Sequence, residues 1–131
     1  MNYLPRWIES AVGDFAKSAG LGGIFFNGPA AVFRFDNGIT FRIEYSAKAL
    51  VVALDVLSPE TSEAAQYILA AADPSRSPGF TLRSGMLANP SRAVLAAVLA
   101  PSDISSGEID RVFRILWSLM ENLSAKLNCI L

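Results

Sequence analysis

The chain contains no histidine. That absence removes Ser-His-Asp and Cys-His nucleophile systems and every histidine-containing metal site. Cysteine is nearly absent too: Cys129 stands alone near the end of the sequence, with nothing beside it to lower its pKa, and reads as incidental. One cysteine and no secretion signal fit a reducing, cytoplasmic setting. Charged residues make up only 18% of the chain, against about 25% in ordinary domains, and the net charge is −1. Lys and Arg are scattered singly, which leaves no electrostatic footprint for nucleic acid. No apolar run approaches the roughly 18 residues of a membrane span. Met86 to Ala100 comes nearest and is broken by Asn89-Pro90-Ser91-Arg92, so membrane insertion is not expected. The opening MNYLPRWIES lacks the basic start and apolar core of a signal peptide. Gly20-Leu21-Gly22-Gly23 follows a helical pattern and carries no Lys-Ser or Lys-Thr, which makes it a helix stop rather than a phosphate loop. No cofactor is expected.

Hydrophobic residues, by contrast, reach 52% of 131 residues. A chain of this length fits one domain, 1–131, burying about two thirds of its unfolded surface without staples. Its apolar excess points to surface hidden in an oligomer.

The organising stretch is Ala30 to Leu57, AAVFRFDNGITFRIEYSAKALVVALDVL, which reads as three antiparallel strands. Asp36-Asn37-Gly38 signals the first turn. A two-residue loop would set Arg34 opposite Phe41, whereas a three-residue loop with Gly38 in the left-handed position pairs Phe35 with Ile39, Phe33 with Phe41 and Ala31 with Ile43. Only the second register gives one apolar face. At the next turn, near Ala47-Lys48, the same test pairs Tyr45 with Leu50, Ile43 with Val52, Phe41 with Leu54 and Ile39 with Val56. The reverse face then holds Arg34, Thr40, Arg42, Glu44 and Asp55, together with Val32, Val51, Ala53 and Leu57. That is too apolar for plain solvent surface, so part of it is expected to meet a partner.

Before the meander, Leu4 to Ser18 reads as an amphipathic helix, with Pro5 in its first turn and Ile8, Val12, Phe15 and Ala19 as its stripe. A Gly-punctuated connection, Leu21 to Gly28, leads into or begins the first strand. After the meander, Ser58-Pro59-Glu60 predicts a helix start and the helix runs to about Ala72, ended by Asp73-Pro74. Pro74 to Pro78 is a loop. Phe80, Leu82 and Ser84 alternate with Thr81 and Arg83 as a fourth strand, and Asn89-Pro90-Ser91 turns the chain. Arg92 to Ala100, RAVLAAVLA, is ambiguous by pattern and is read as a fifth strand, because Pro101 ends it and the preceding strand needs a partner. Ser105-Ser106-Gly107-Glu108 is a capping box. Ile109, Phe113, Leu116, Met120, Leu123 and Leu127 then form the buried stripe of a last helix. The expected fold is α+β, in the order αβββαββα, with one antiparallel sheet packed by helices.

The residues offer little chemistry. Asp36 is a turn residue, and Glu44 and Asp55 share the reverse face with Arg42, which reads as a cross-strand ion pair or a solvated face. Trp117 and Phe113 at helical spacing read as core. Trp7, one position off the Ile8 stripe, is either an exposed anchor or packed against a loop.

Several stretches in this order resemble class I type III secretion chaperones of the Tir chaperone (CesT) family: FAKSAGLGGIFFNG at Phe15 to Gly28, the meander, GFTLRSG from Gly79, RAVLAAVLAP, and WSLMENLSAKL from Trp117. The resemblance spans about Trp7 to Leu127. It implies a non-enzymatic homodimer of the bacterial cytosol. Such a dimer binds the amino-terminal segment of a secreted effector, keeps it extended, and presents it to the secretion machinery, with the secretion ATPase as a further partner. An extended peptide adding to a sheet edge, its apolar side chains in pockets, is physically compatible with this. By segment, the resemblance implies client contacts through the first helix and exposed sheet, with Leu4, Trp7, Ile8, Phe25, Val32 and Val51 as candidates. It implies a dimer contact through the middle helix and following strand, with Tyr67, Ile68, Ala71, Phe80 and Leu82 as candidates. Many members are more acidic than this chain. Two other readings stand beside it: an α+β interaction or regulatory domain binding a folded partner, and an enzyme at a subunit interface using Arg34, Arg42 and Asp55.

Overall fold

The structure, a computed structural model, describes residues 5–21, 30–46, 48–73 and 80–129, together with the backbone of 26–27. The expected Leu4, Phe25, Ala47 and the loop Pro74 to Pro78 lie outside these residues. Helix α1 runs over Arg6–Ser18 and ends at Ala19, after which Gly20 takes a φ of 71° that reverses the chain cheaply only without a Cβ. Strands β2 (Ala30–Arg34), β3 (Thr40–Ser46) and β4 (Ala49–Leu57) form the meander, preceded by a two-residue strand β1 (Phe26–Asn27) on its outer side. Helix α2 (Ser62–Ala71), strands β5 (Thr81–Leu87) and β6 (Arg92–Leu99), and helix α3 (Ser106–Asn128) complete the αβββαββα order, with β1 as an addition.

Turn chemistry sets the register that the side-chain pattern demands. Gly38 sits at φ 88°, the Phe35 N–H donates to the Ile39 carbonyl at 2.9 Å, and Phe33 faces Phe41 and Ala31 faces Ile43. The Asn37 side chain accepts from the Ile39 N–H at 3.1 Å and braces the bulge. On the other side Ile43 faces Val52, Phe41 faces Leu54 and Tyr45 faces Leu50. The sheet order is β1-β2-β3-β4-β6-β5, every pairing antiparallel. The ambiguous run at Arg92 is a strand, and it lies between β4 and β5 rather than at the edge.

Alternation along β6 buries Ala93, Leu95, Ala97 and Leu99, and these continue the plane of Leu50, Val52, Leu54 and Val56. All three helices cover this one face. Phe15 of α1 meets Phe41 at 5.8 Å and Phe113 of α3 at 5.4 Å, and Trp117 meets Phe35 at 4.8 Å edge-on. Each such aromatic contact adds about 1 kcal/mol to the area term. Helix α2 lies against α3 and β5, with Ala64, Ile68 and Ala71 buried.

One helix start departs from expectation and one follows it. Thr61, not Ser58, caps α2: its hydroxyl accepts the Ala64 N–H at 3.1 Å, while the Ser58 N–H is spent on the Ser91 carbonyl. Ser105 caps α3 by accepting the Glu108 N–H at 3.1 Å. The Glu108 carboxylate is engaged by Arg111 one turn on, and that hydrogen bond holds its pKa below the usual carboxyl value.

Candidate functional site

Among the described residues, no helix lies over the second face of the sheet. Because β2 through β5 alternate, the residues left there form rows across the strands: Val32, Arg42, Ala53, Ala96 and Arg83 in one, Glu44, Val51, Val98 and Thr81 in the next. Val32 is 45% exposed, and Leu57 and Leu87 at the far end are 61% and 50% exposed. Open aliphatic surface of this extent on a sheet is unusual for a face that meets only water. At its outer side β5 has no partner strand among the described residues, so its free backbone groups form an edge available for pairing.

One end of this face is polar. Asp55, buried to 4% exposure, is paired with the Arg92 Nε. The same guanidinium donates to the Gly38 carbonyl at 3.0 Å and to the Thr40 hydroxyl and Asp55 carbonyl at 3.3 Å, tying the β2–β3 turn to β6. Asp55 therefore pairs with Arg92 and not with Arg42, as the sequence pattern suggested, because the inserted β6 brings Arg92 against β4. A basin of about 400 Å³ opens there between the two turns, lined by Arg34, Thr40, Arg42, Asp55, Leu87 and Arg92 among others. On the helical side, Ala19, Leu21, Phe35, Phe113 and Trp117 line a second, more apolar groove of about 290 Å³.

The sequence candidates divide between these surfaces. Val32 is exposed and Val51 half-buried on the bare face, whereas Trp7, 50% exposed, stands on the helical layer. Ile8 is corrected: the stripe that places it on α1 also turns it fully into the core, where no partner reaches it. Leu4 and Phe25 lie outside the described residues. Of the dimer candidates, Ile68 and Ala71 are likewise corrected, being buried inside the protomer's own core. Tyr67, Phe80 and Leu82 are half-buried against it, Tyr67 beneath Lys126 and Phe80 beneath Arg111. The large apolar residue that α2 turns outward is Leu69, 70% exposed, which the sequence reading did not name as a contact. Its signal was present: at one position past Ile68 it falls off the buried stripe of Ala64, Ile68 and Ala71.

Among the described residues, no group of His, Cys, Asp and Glu is arranged to hold a metal ion, and no helix is long and apolar enough to cross a membrane.

No protein-family model and no curated protein sequence matches the chain. Solved structures do match it in fold. A chain of the HopA1–SchA chaperone–effector complex is 17% identical, with 91% of each chain covered and a TM-score of 0.63. The structure of the Yersinia pestis type III secretion chaperone SycH in complex with a stable fragment of YscM2 matches at 19% identity and a TM-score of 0.65, covering 90% of this chain and 98% of that one. YbjN, a putative transcription regulator from E. coli, matches at 11% identity and a TM-score of 0.63, covering 92% and 91%. The chain shares its fold with a chain of each of these three structures.

Proposed function

We propose that this protein is a type III secretion chaperone. In this reading the chain forms one domain, 1–131, works as a homodimer in the bacterial cytoplasm and catalyses no reaction. It binds the amino-terminal segment of a secreted effector, keeps that segment extended, and delivers it to the secretion apparatus, where the secretion ATPase is the receiving partner. The observation that carries the reading is the sheet face left uncovered by the described residues, a partly aliphatic surface ending at β5, which has no outer partner strand among them. An extended segment satisfies such an edge with its main chain and lays alternate side chains on the face. The likeness in fold to two complexes that contain a chaperone and a bound protein supports it. Self-association through the outer side of α2 would cover Leu69.

Affinity purification from the native host, with limited proteolysis and mass spectrometry of whatever is retained, tests the reading. A larger protein protected only near its amino terminus is the expected result. A folded partner protected throughout would replace it with a regulatory interaction domain, the reading that the fold shared with YbjN favours. Sedimentation of Leu69→Asp tests the dimer: the wild type is expected at twice the chain mass and the variant at the chain mass.

A further inference from the structure

The polar end of the bare face carries an imbalance of charge that the fold itself does not use. Three guanidiniums, those of Arg34, Arg42 and Arg92, line the basin together with one carboxylate, Asp55. Asp55 is already taken by Arg92, which is held by three further acceptors, so this pair is a fixed wall rather than a free charge. Among the described residues no carboxylate forms an ion pair with Arg34 or Arg42, although both are exposed and Glu44 shares their face. The register explains why the two work together. Arg34 faces Thr40 and Val32 faces Arg42, so the arginines are diagonal neighbours on adjacent strands with Cβ atoms about 7 Å apart. At that spacing two planar forks can close on one carboxylate from both sides. A chain of net charge −1 thus presents a locally positive basin beside Val32, Val94, Leu57 and Leu87.

We propose that Arg34 and Arg42, with the Thr40 hydroxyl, form a subsite for an acidic side chain, Asp or Glu, of an extended peptide lying on the bare face. The peptide's neighbouring aliphatic residues rest on Val32 and Val51. The occupant is a peptide rather than a nucleic acid because Val32, Val51 and Leu57 flank the arginines on the bare face and, among the described residues there, no aromatic ring is exposed for a base to stack on, the Phe35 ring of the basin wall being half-buried against Phe33 and Trp117. The subsite rests on the chaperone reading and gives it a rule of selection: a client carries a carboxylate in register with its apolar positions. Exposed arginine–carboxylate contacts contribute modestly to affinity and more to orientation and choice of partner.

The test uses the full chain and two fluorescein-labelled peptides, alternating valine and threonine about a central glutamate in one and glutamine in the other. Binding is read by anisotropy. The glutamate peptide is expected to bind wild type about fivefold more tightly, a gap that closes in high salt and disappears in Arg34→Gln/Arg42→Gln. Circular dichroism of that variant is expected to match wild type, since both side chains are exposed. Equal affinity for the two peptides, with Val51→Asp still weakening both, would overturn the subsite and leave the client-binding face standing. Failure of both peptides to bind would overturn the two together. Tight binding of a single-stranded DNA oligonucleotide, lost in the double variant, would assign the arginines to phosphate and overturn the proposal.

Discussion

The two faces of the sheet are made from the same strands, one residue out of step, yet they are built to different ends. On the helical face the cross-strand rows are largely aromatic and aliphatic, and Phe41, Ile43, Leu54 and Leu95 are sealed from solvent. On the other face the rows mix aliphatic and charged residues, and no described helix packs over them. Within one strand, β4, the contrast is narrowest: Leu50, Val52, Leu54 and Val56 point to the helices, while Val51, Ala53, Asp55 and Leu57 point away. Stability is concentrated on one side of the sheet, and the other side is the one proposed above to meet a partner. A domain that needed only to fold would polarise that second face further.

The largest break in this contrast is Phe41→Asp. Truncating a buried Phe costs about 3–5 kcal/mol, and an unpaired carboxylate among Phe15, Phe113 and Leu54 adds to it. The domain is expected to lose its circular dichroism signal at ambient temperature. Asp55→Ala reaches the bare face where it is most buried. It leaves the Arg92 guanidinium without its carboxylate, and we expect a loss of about 2 kcal/mol in urea denaturation, partly restored in Asp55→Ala/Arg92→Met. Val51→Asp lies on the same strand as Leu50 and Val52 but faces outward. It is expected to shift stability by less than about 1 kcal/mol while weakening capture of an extended peptide, and unfolding as severe as that of Phe41→Asp would reverse the assignment of faces.

The smallest effect concerns neither face but the start of α3. The Glu108 pKa is lowered chiefly by its hydrogen bond to Arg111, so the carboxylate's contribution is fully present above the usual glutamate value. It is lost as pH falls through the lowered value. Glu108→Gln is expected to flatten that acid limb of the stability profile by lowering the neutral-pH plateau slightly, toward the level wild type reaches in acid.

Most of the fold was legible because the meander allows only one self-consistent register. Arg34 cannot face Phe41 without mixing charge into the core, and that single conflict fixes the bulge at Gly38. The strand at Arg92 followed from the need of β5 for a partner. Its position inside the sheet was less accessible, and with it the Asp55–Arg92 pair, since pairing between distant strands leaves no local pattern. The cap of α2 was misplaced for a local reason. Ser58, Thr61 and Ser62 all offer hydroxyls, and it is the Ser58 hydroxyl's bond to the Pro59 carbonyl and the Thr61 hydroxyl's acceptance of the Ala64 N–H that tell them apart. Candidate contact residues were the least legible. The periodicity that identifies a helix marks its buried stripe most strongly, which drew attention to Ile8, Ile68 and Ala71 and away from Leu69.

The insertion of β6 between β4 and β5 also has a meaning in time. A ribosome delivers β4 long before its neighbour: Leu50 pairs with Leu99 and Leu57 with Arg92, and α2 and β5 are synthesised between them. Until the chain has emerged past Leu99, ALVVALDVL presents an open hydrogen-bonding edge flanked by two apolar surfaces. Such contacts between distant segments form late. A protein proposed to shield the unfinished segments of others thus passes through its own unshielded interval on the way to its fold.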